Sequence, residues 1–170
     1  MGQRGVSIIE LSLAVTLTIL IGAALVEFYL SQHNQLLLQE ESSDMQQNVR
    51  IATDEITKNI RKAGYGLTGH PVISVGADTL TVYFLSGSQV DTVAYYLSRA
   101  DSLHPDLMRK IGSAPAQVFA EDIDSLRFTQ NGQLIYVRIV AREKTKDDSF
   151  TGDKYRRRVL GSFVRVRNLI

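Results

Sequence analysis

Glu10 is a carboxylate set in a run of apolar residues, which makes it the most chemically loaded position in the chain. Val6–Val26 reads VSIIELSLAVTLTILIGAALV, and Glu10 is its single charge in 21 residues. A carboxylate at a bilayer centre costs on the order of 2.5–3.5 kcal/mol, and less toward the interface. It calls for a cationic partner. The other reactive side chains are dispersed. His33, His70 and His104 fall in unlike segments, and no G-x-S-x-G, H-E-x-x-H or P-loop pattern occurs. Neither enzymatic activity nor a cofactor is expected. Glu121, Asp122 and Asp124 are acidic neighbours of the kind that bind Ca²⁺, but they lack the EF-hand spacing. They are expected in a solvated loop, with no metal.

Two further patterns need a structural context to acquire meaning. Gly64, Gly66 and Gly69 spell GYGLTG, a literal G-x-G-x-x-G. The dinucleotide fingerprint requires a strand before it and a helix after it. Here a helical pattern precedes and strand-like Val72–Val75 follows, so the glycines are expected to end a helix. The second pattern is basic. Between Arg138 and Ile170 there are ten basic and four acidic residues, including Lys154, Arg156, Arg157 and Arg158. That cluster suits a nucleic-acid backbone, the charged outer face of an edge strand, or an interface to acidic subunits. The structural uses are favoured over nucleic acid.

The elements that carry these residues follow from composition and period. The chain has 170 residues, a net charge of +1 and no cysteine, so disulfides and thiolate metal sites are excluded. Residues 1–30 hold three charges (Arg4, Glu10 and Glu27), leaving 18 basic and 16 acidic groups beyond them. As a helix, Val6–Val26 measures about 31 Å, close to the roughly 30 Å hydrocarbon thickness. Arg4 favours a cytoplasmic N-terminus. A cleavable secretory signal fits poorly, because the apolar core runs into Glu27-Phe28-Tyr29-Leu30 without an A-x-A site.

Residues 27–63 contain neither proline nor glycine. Met45, Val49, Ala52, Ile56, Ile60 and Ala63 recur at steps of 4, 3, 4, 4 and 3, one apolar stripe suited to a sheet. A helix from Ser7 to Ala63 would be about 85 Å long, so its first half must project into lipid or into copies of itself. Beyond it, alternation predicts strands at Val72–Val75, Thr79–Leu85, Val93–Leu97, Leu107–Ile111, Leu126–Thr129 and Gln133–Arg142. A last strand region, Tyr155–Arg167, is expected to break near Gly161, and Asn131-Gly132 marks a hairpin. The polar stretch from Lys144 to Asp153 is expected as a mobile loop. The fold class is α+β, with a long N-terminal helix on an antiparallel sheet.

Gly5-Val6-Ser7-Ile8-Ile9-Glu10-Leu11 and the apolar run after it resemble the class III signal of type IV pilins and type II secretion pseudopilins. Ile60–Gly66 (IRKAGYG), Ala120–Phe128 (AEDIDSLRF) and Arg165–Ile170 (RVRNLI) resemble the W-type minor pilins and the J-type pseudopilins. The resemblance implies the pilin fold. It implies a leader of residues 1–5, a transmembrane and assembly segment 6–30, an amphipathic segment 31–63 and a periplasmic β domain 64–170. It also implies that prepilin peptidase cleaves between Gly5 and Val6 and methylates the new Val6 amine. Glu10 is then the assembly carboxylate. The implied partners are other major and minor pilins or pseudopilins and the inner-membrane assembly platform. The implied place is the bacterial inner membrane, spanned once, and then a pilus or pseudopilus.

This chain has Val6 where the family usually has Phe, and no proline before Pro71. The missing cysteine and helix proline suit a minor subunit or a pseudopilin better than a bulk filament protein. Some tip pseudopilins lack the carboxylate that Glu10 represents, which argues against that slot. The expected function is a minor pilin that primes or caps a type IV pilus. The alternatives are a type II secretion pseudopilin and, from another class, a single-pass anchored binding module that does not polymerise.

Overall fold

A computed structural model describes residues 7–68, 71–98, 100–101, 104–147 and 150–168. Helix α1 runs over Ile8–Lys62, 55 residues, close to the expected bounds. The chain divides within this helix into a unit ending at Glu40 and a second unit, Glu41–Ile170. The division falls about ten residues later than the expected start of the amphipathic segment. Leu36 and Leu37 remain exposed, and Met45 is the first buried apolar residue.

In the second unit the helix packs on antiparallel sheets, an α+β arrangement. Met45, Val49, Ala52, Ile56, Ile60 and Ala63 are all buried, as the period of the stripe requires. Their partners come from two meanders. The first sheet is ordered β1 (Ile73–Val75), β2 (Thr79–Ser86), β3 (Gln89–Ser98), β4 (Asp106–Ile111) and β5 (Gln117–Ala120). It contributes Leu80, Val82, Val93, Tyr95 and Leu107 to the core. The second is ordered β6 (Ile123–Asn131), β7 (Leu134–Arg142) and β8 (Arg157–Arg165). From it Leu126, Phe128, Ile135, Val137, Ile139 and Val164 face inward. Burying each such side chain contributes about 1.5–3 kcal/mol. The sheets are stitched where the Phe128 N–H donates to the Ala77 carbonyl at 3.0 Å and the Ile123 N–H to the Pro105 carbonyl at 2.8 Å.

Four strand expectations are corrected. The third strand begins at Gln89, four residues early, because Gly87-Ser88 forms a tight turn that pairs Ser86 with Gln89. Gln117–Ala120 adds an unexpected short strand beside β4. The hairpin between β6 and β7 turns on Gly132-Gln133 rather than Asn131-Gly132, since Asn131 already pairs with Leu134. Strand β8 passes through Gly161 without a break. A Cβ there would lie 2.5 Å from the Tyr136 hydroxyl, so the tyrosine ring occupies the space a side chain would take.

The end of α1 is closed by two devices. Gly64 adopts φ +75°, and a Cβ on it would meet the Asn168 carbonyl oxygen at 2.7 Å and Val72 Cγ1 at 2.8 Å. Only glycine suits both its dihedral and its surroundings. The Asn168 amide Nδ2 donates to the Ala63 carbonyl at 3.0 Å, satisfying an acceptor that the helix leaves open. Gly66 is also left-handed, at φ +71°, and Gly69 lies outside the described residues. Among the described residues, the glycine pattern therefore marks a helix stop.

Candidate functional site

The N-terminal end of α1 is built by Ser7 and Glu10. The Ser7 carbonyl accepts from the Leu11 N–H at 3.0 Å, and the Ser7 N–H donates to Glu10 Oε2 at 3.0 Å. Ser7 Oγ lies 3.4 Å from the Ile9 N. Ser7-x-x-Glu10 therefore works as a capping box, with the acid reaching back over the first turn, where the helix dipole favours negative charge. The S-x-x-E spacing carried this signal in the sequence, where Glu10 was weighed for its charge alone. Among the described residues Glu10 has no cationic partner, and its Oε1 accepts no hydrogen bond. Gly5 and Val6, the expected cleavage and methylation positions, lie outside the described residues.

The helix after Glu10 is apolar around its circumference and wholly open. Leu11, Leu13, Ile19, Ile21, Leu25 and Phe28 are each more than half exposed. By length and composition this stretch can cross a membrane. Its few polar groups are satisfied within the helix. Ser12 Oγ donates to the Ile9 carbonyl at 3.0 Å, Thr16 Oγ1 to Ser12 at 2.8 Å and Thr18 Oγ1 to Ala14 at 2.8 Å. Hydroxyls bonded back in this way leave no unmet donor for an apolar medium to penalise.

The basic run resolves into separate environments. Arg156 Nε donates to Asp147 Oδ2 at 2.8 Å and lies 3.9 Å from Glu143 Oε2. Arg157 Nε donates to Asp124 Oδ2 at 3.0 Å, and its terminal nitrogens pair with Asp153. The Arg157 hydrogen bonds hold the Asp153 carboxyl down at about 2, and the Arg157 guanidinium is pushed up by the same acids. Arg158 is exposed beside Arg50 and Gln46, and Lys154 sits in a left-handed turn at φ 64°. Arg156 and Arg157 are thus largely neutralised by acids.

The solvated-loop expectation for Glu121, Asp122 and Asp124 holds only for the exposed Glu121, which pairs with Lys144 at 2.8 Å. The Lys144 hydrogen bond lowers the Glu121 carboxyl. Asp122 is buried at φ 58°, with Oδ1 2.8 Å from His104 Nδ1. Asp124 belongs to β6 and joins the Arg157 pair. Asp124 occupies the irregularity between Ile123 and Ser125, on the side of the sheet that carries Arg157. Among the described residues no three metal-binding side chains converge.

One polar group was invisible to sequence reasoning. Glu143 is 1% exposed, and among the described residues neither of its carboxylate oxygens has a hydrogen-bond partner within bonding geometry. Burial raises its carboxyl, Arg156 opposes that shift, Glu41 and Asp147 add to it, and the Ser42 hydroxyl opposes it weakly. Its neighbour Arg142 is also buried, with its guanidinium over the Tyr155 ring at 4.5 Å. No family model, curated protein or solved structure matches the chain.

Proposed function

We propose that the chain is a membrane-anchored, non-enzymatic filament subunit, a minor pilin that primes or caps a type IV pilus. The observation that carries this reading is the first part of α1, an apolar helical surface exposed around its circumference in its own unit among the described residues. A surface of that size needs lipid or other helices around it. The carboxylate at its start supports the same reading. Once residues 1–5 are removed, the amine of Val6 is a new cation one turn from Glu10, and in an assembling filament Glu10 reaches the amine of an adjacent subunit. Leaving both charges unpaired in an apolar core costs several kcal/mol per ion, so the pairing sets register more than it adds stability. The domain from Glu41 onward stays outside the membrane and supplies the subunit's surface.

Mass spectrometry of the membrane-extracted protein tests the reading directly. The expected product begins at N-methylated Val6 and copurifies with other pilin-like chains. A product that retains Met1, or one that begins beyond Leu30, overturns it. Cleavage at Val6 without any pilin-like companion would point instead to an anchored module that does not polymerise.

A further inference from the structure

The outer face of the β6-β7-β8 sheet carries cations and aromatic rings over the stretch from Arg127 to Arg165, while its acids, Asp124 and Asp153, gather on Arg157 at the opposite end. Arg127 on β6 lies directly across from Arg138 on β7. Tyr136 on β7 lies across from Phe163 on β8, and Leu134 from Arg165. Arg167 follows on the same side, while Val164 and Val166 between these residues are buried inward. Along that stretch the outward positions hold Arg, Thr, Asn, Leu, Tyr, Val, Gly and Phe, and no carboxylate.

Two features of this face are unfavourable for an isolated protein. Like charges directly opposite in an antiparallel pair repel, so Arg127 and Arg138 destabilise the ladder that carries them. None of Arg127, Arg138, Arg165 and Arg167 forms an ion pair with a described residue, and Arg165 Nε is held only by the neutral Gln133 amide oxygen at 3.0 Å. Phe163 is 74% exposed, with its ring 4.6 Å from that of Tyr136. Gly161 keeps the surface flat at this point, since the Tyr136 ring lies where its side chain would be. At one edge the face opens into a shallow cleft, where Arg61 of α1 joins Phe163, Arg165 and Arg167.

We propose that this face binds single-stranded nucleic acid, with bases stacking on Phe163 and phosphates meeting Arg127, Arg138, Arg165 and Arg167. An acidic protein would satisfy the arginines but has no particular use for a flat exposed ring. A single strand supplies anions and π-faces together, the combination that stacking platforms in basic grooves exploit. A duplex hides its bases and would engage the arginines alone. Arg157 shares this face at its far end, but its charge is spent on Asp124 and Asp153, as that of Arg156 is on Asp147.

The test uses the full chain in micelles of an uncharged detergent and a labelled 20-nucleotide oligo-dT read by fluorescence anisotropy. Four phosphate contacts give a slope of log affinity against log salt of about −3. Replacing Arg127→Gln and Arg138→Gln together should halve that slope. Phe163→Leu, which keeps an apolar side chain beside Tyr136, should weaken binding roughly five- to a hundredfold without changing the slope. Arg158→Gln should leave both unchanged. Circular dichroism confirms that each variant is folded. The proposal is overturned by no binding at low salt, by a duplex binding as tightly as the single strand, or by Arg158→Gln matching the double variant. Equal competition by heparin or polyglutamate, with Phe163→Leu indifferent, also overturns it and identifies a general anion surface.

Discussion

The Ser7 backbone N–H donates to the Glu10 carboxylate at 3.0 Å, so the acid at the start of the apolar helix already caps its own first turn. Capping and the proposed intersubunit pairing need different things of this side chain. A glutamine at the third helical position preserves the reach-back hydrogen bond, whereas only a carboxylate answers a cationic amine. Glu10→Gln should therefore insert in membranes with normal helicity yet enter filaments at least tenfold less well. Membrane fractionation and quantitative blotting of sheared filaments measure the two steps. Unimpaired incorporation of Glu10→Gln would show that the charge is not used in assembly.

Gly64→Ala should destabilise the domain by about 2 kcal/mol or more. The left-handed backbone penalises any Cβ, and this one would press on the Asn168 carbonyl and Val72. A thermal midpoint lowered by about 5–10 °C is the expected reading for a domain of this size. Gly132→Ala, at φ +58° with nothing within 4 Å of its Cβ, should cost about half as much. An equal loss for both would mean that the contacts at Gly64 contribute nothing.

Glu143→Gln should stabilise the domain at neutral pH. Burial raises the Glu143 carboxyl, so the folded state holds its proton more tightly than the unfolded chain does. Native stability then falls as pH rises from the ordinary carboxylate value through the raised one, and the penalty is complete above it. The amide avoids that penalty. A gain of about 1–3 kcal/mol is expected at pH 7–8, vanishing near pH 4, in urea unfolding curves taken across that range. A gain that does not depend on pH would assign the effect to packing instead.

Tyr95 should resist ionisation. Burial pushes its hydroxyl up to about 12, against the pull of the Asn59 amide that donates to it at 2.7 Å. Its proton is held more tightly folded than unfolded, so stability drains away as pH climbs from about 10 toward 12. Absorbance titration should show a tyrosinate transition near pH 12, and Tyr95→Phe should remove it. A titration curve in which Tyr95→Phe removes no high-pH transition from the folded protein would contradict the burial.

What could be read from the residues alone was whatever has a period. The stripe from Met45 to Ala63 and the alternation of Ile135, Val137 and Ile139 each state which face is buried, and these faces form the core. Features set by pairing between distant segments carried no such signal. Gln117–Ala120 is too short to alternate visibly, and it becomes a strand only because β4 offers it an edge. The split into two sheets hinges on Asp122 in a left-handed turn, which composition does not announce. At the N-terminus, Ser7-x-x-Glu10 was present as a local pattern, but the apolar surroundings directed attention to the charge. The Arg127–Arg138 opposition needs the register of β6 against β7, and a slip of one residue would have dispersed it.

The bond from Asn168 to the Ala63 carbonyl joins positions 105 residues apart. During synthesis the helix emerges long before its plug exists, with an apolar flank bare and its last carbonyls unanswered. Every strand must be made and placed before the latch can engage. The domain therefore spends its early life dependent on whatever shelters it, and its maturation is timed by the arrival of Asn168. A nascent chain stalled short of that point would be recognisable to quality-control proteases by the unlatched helix.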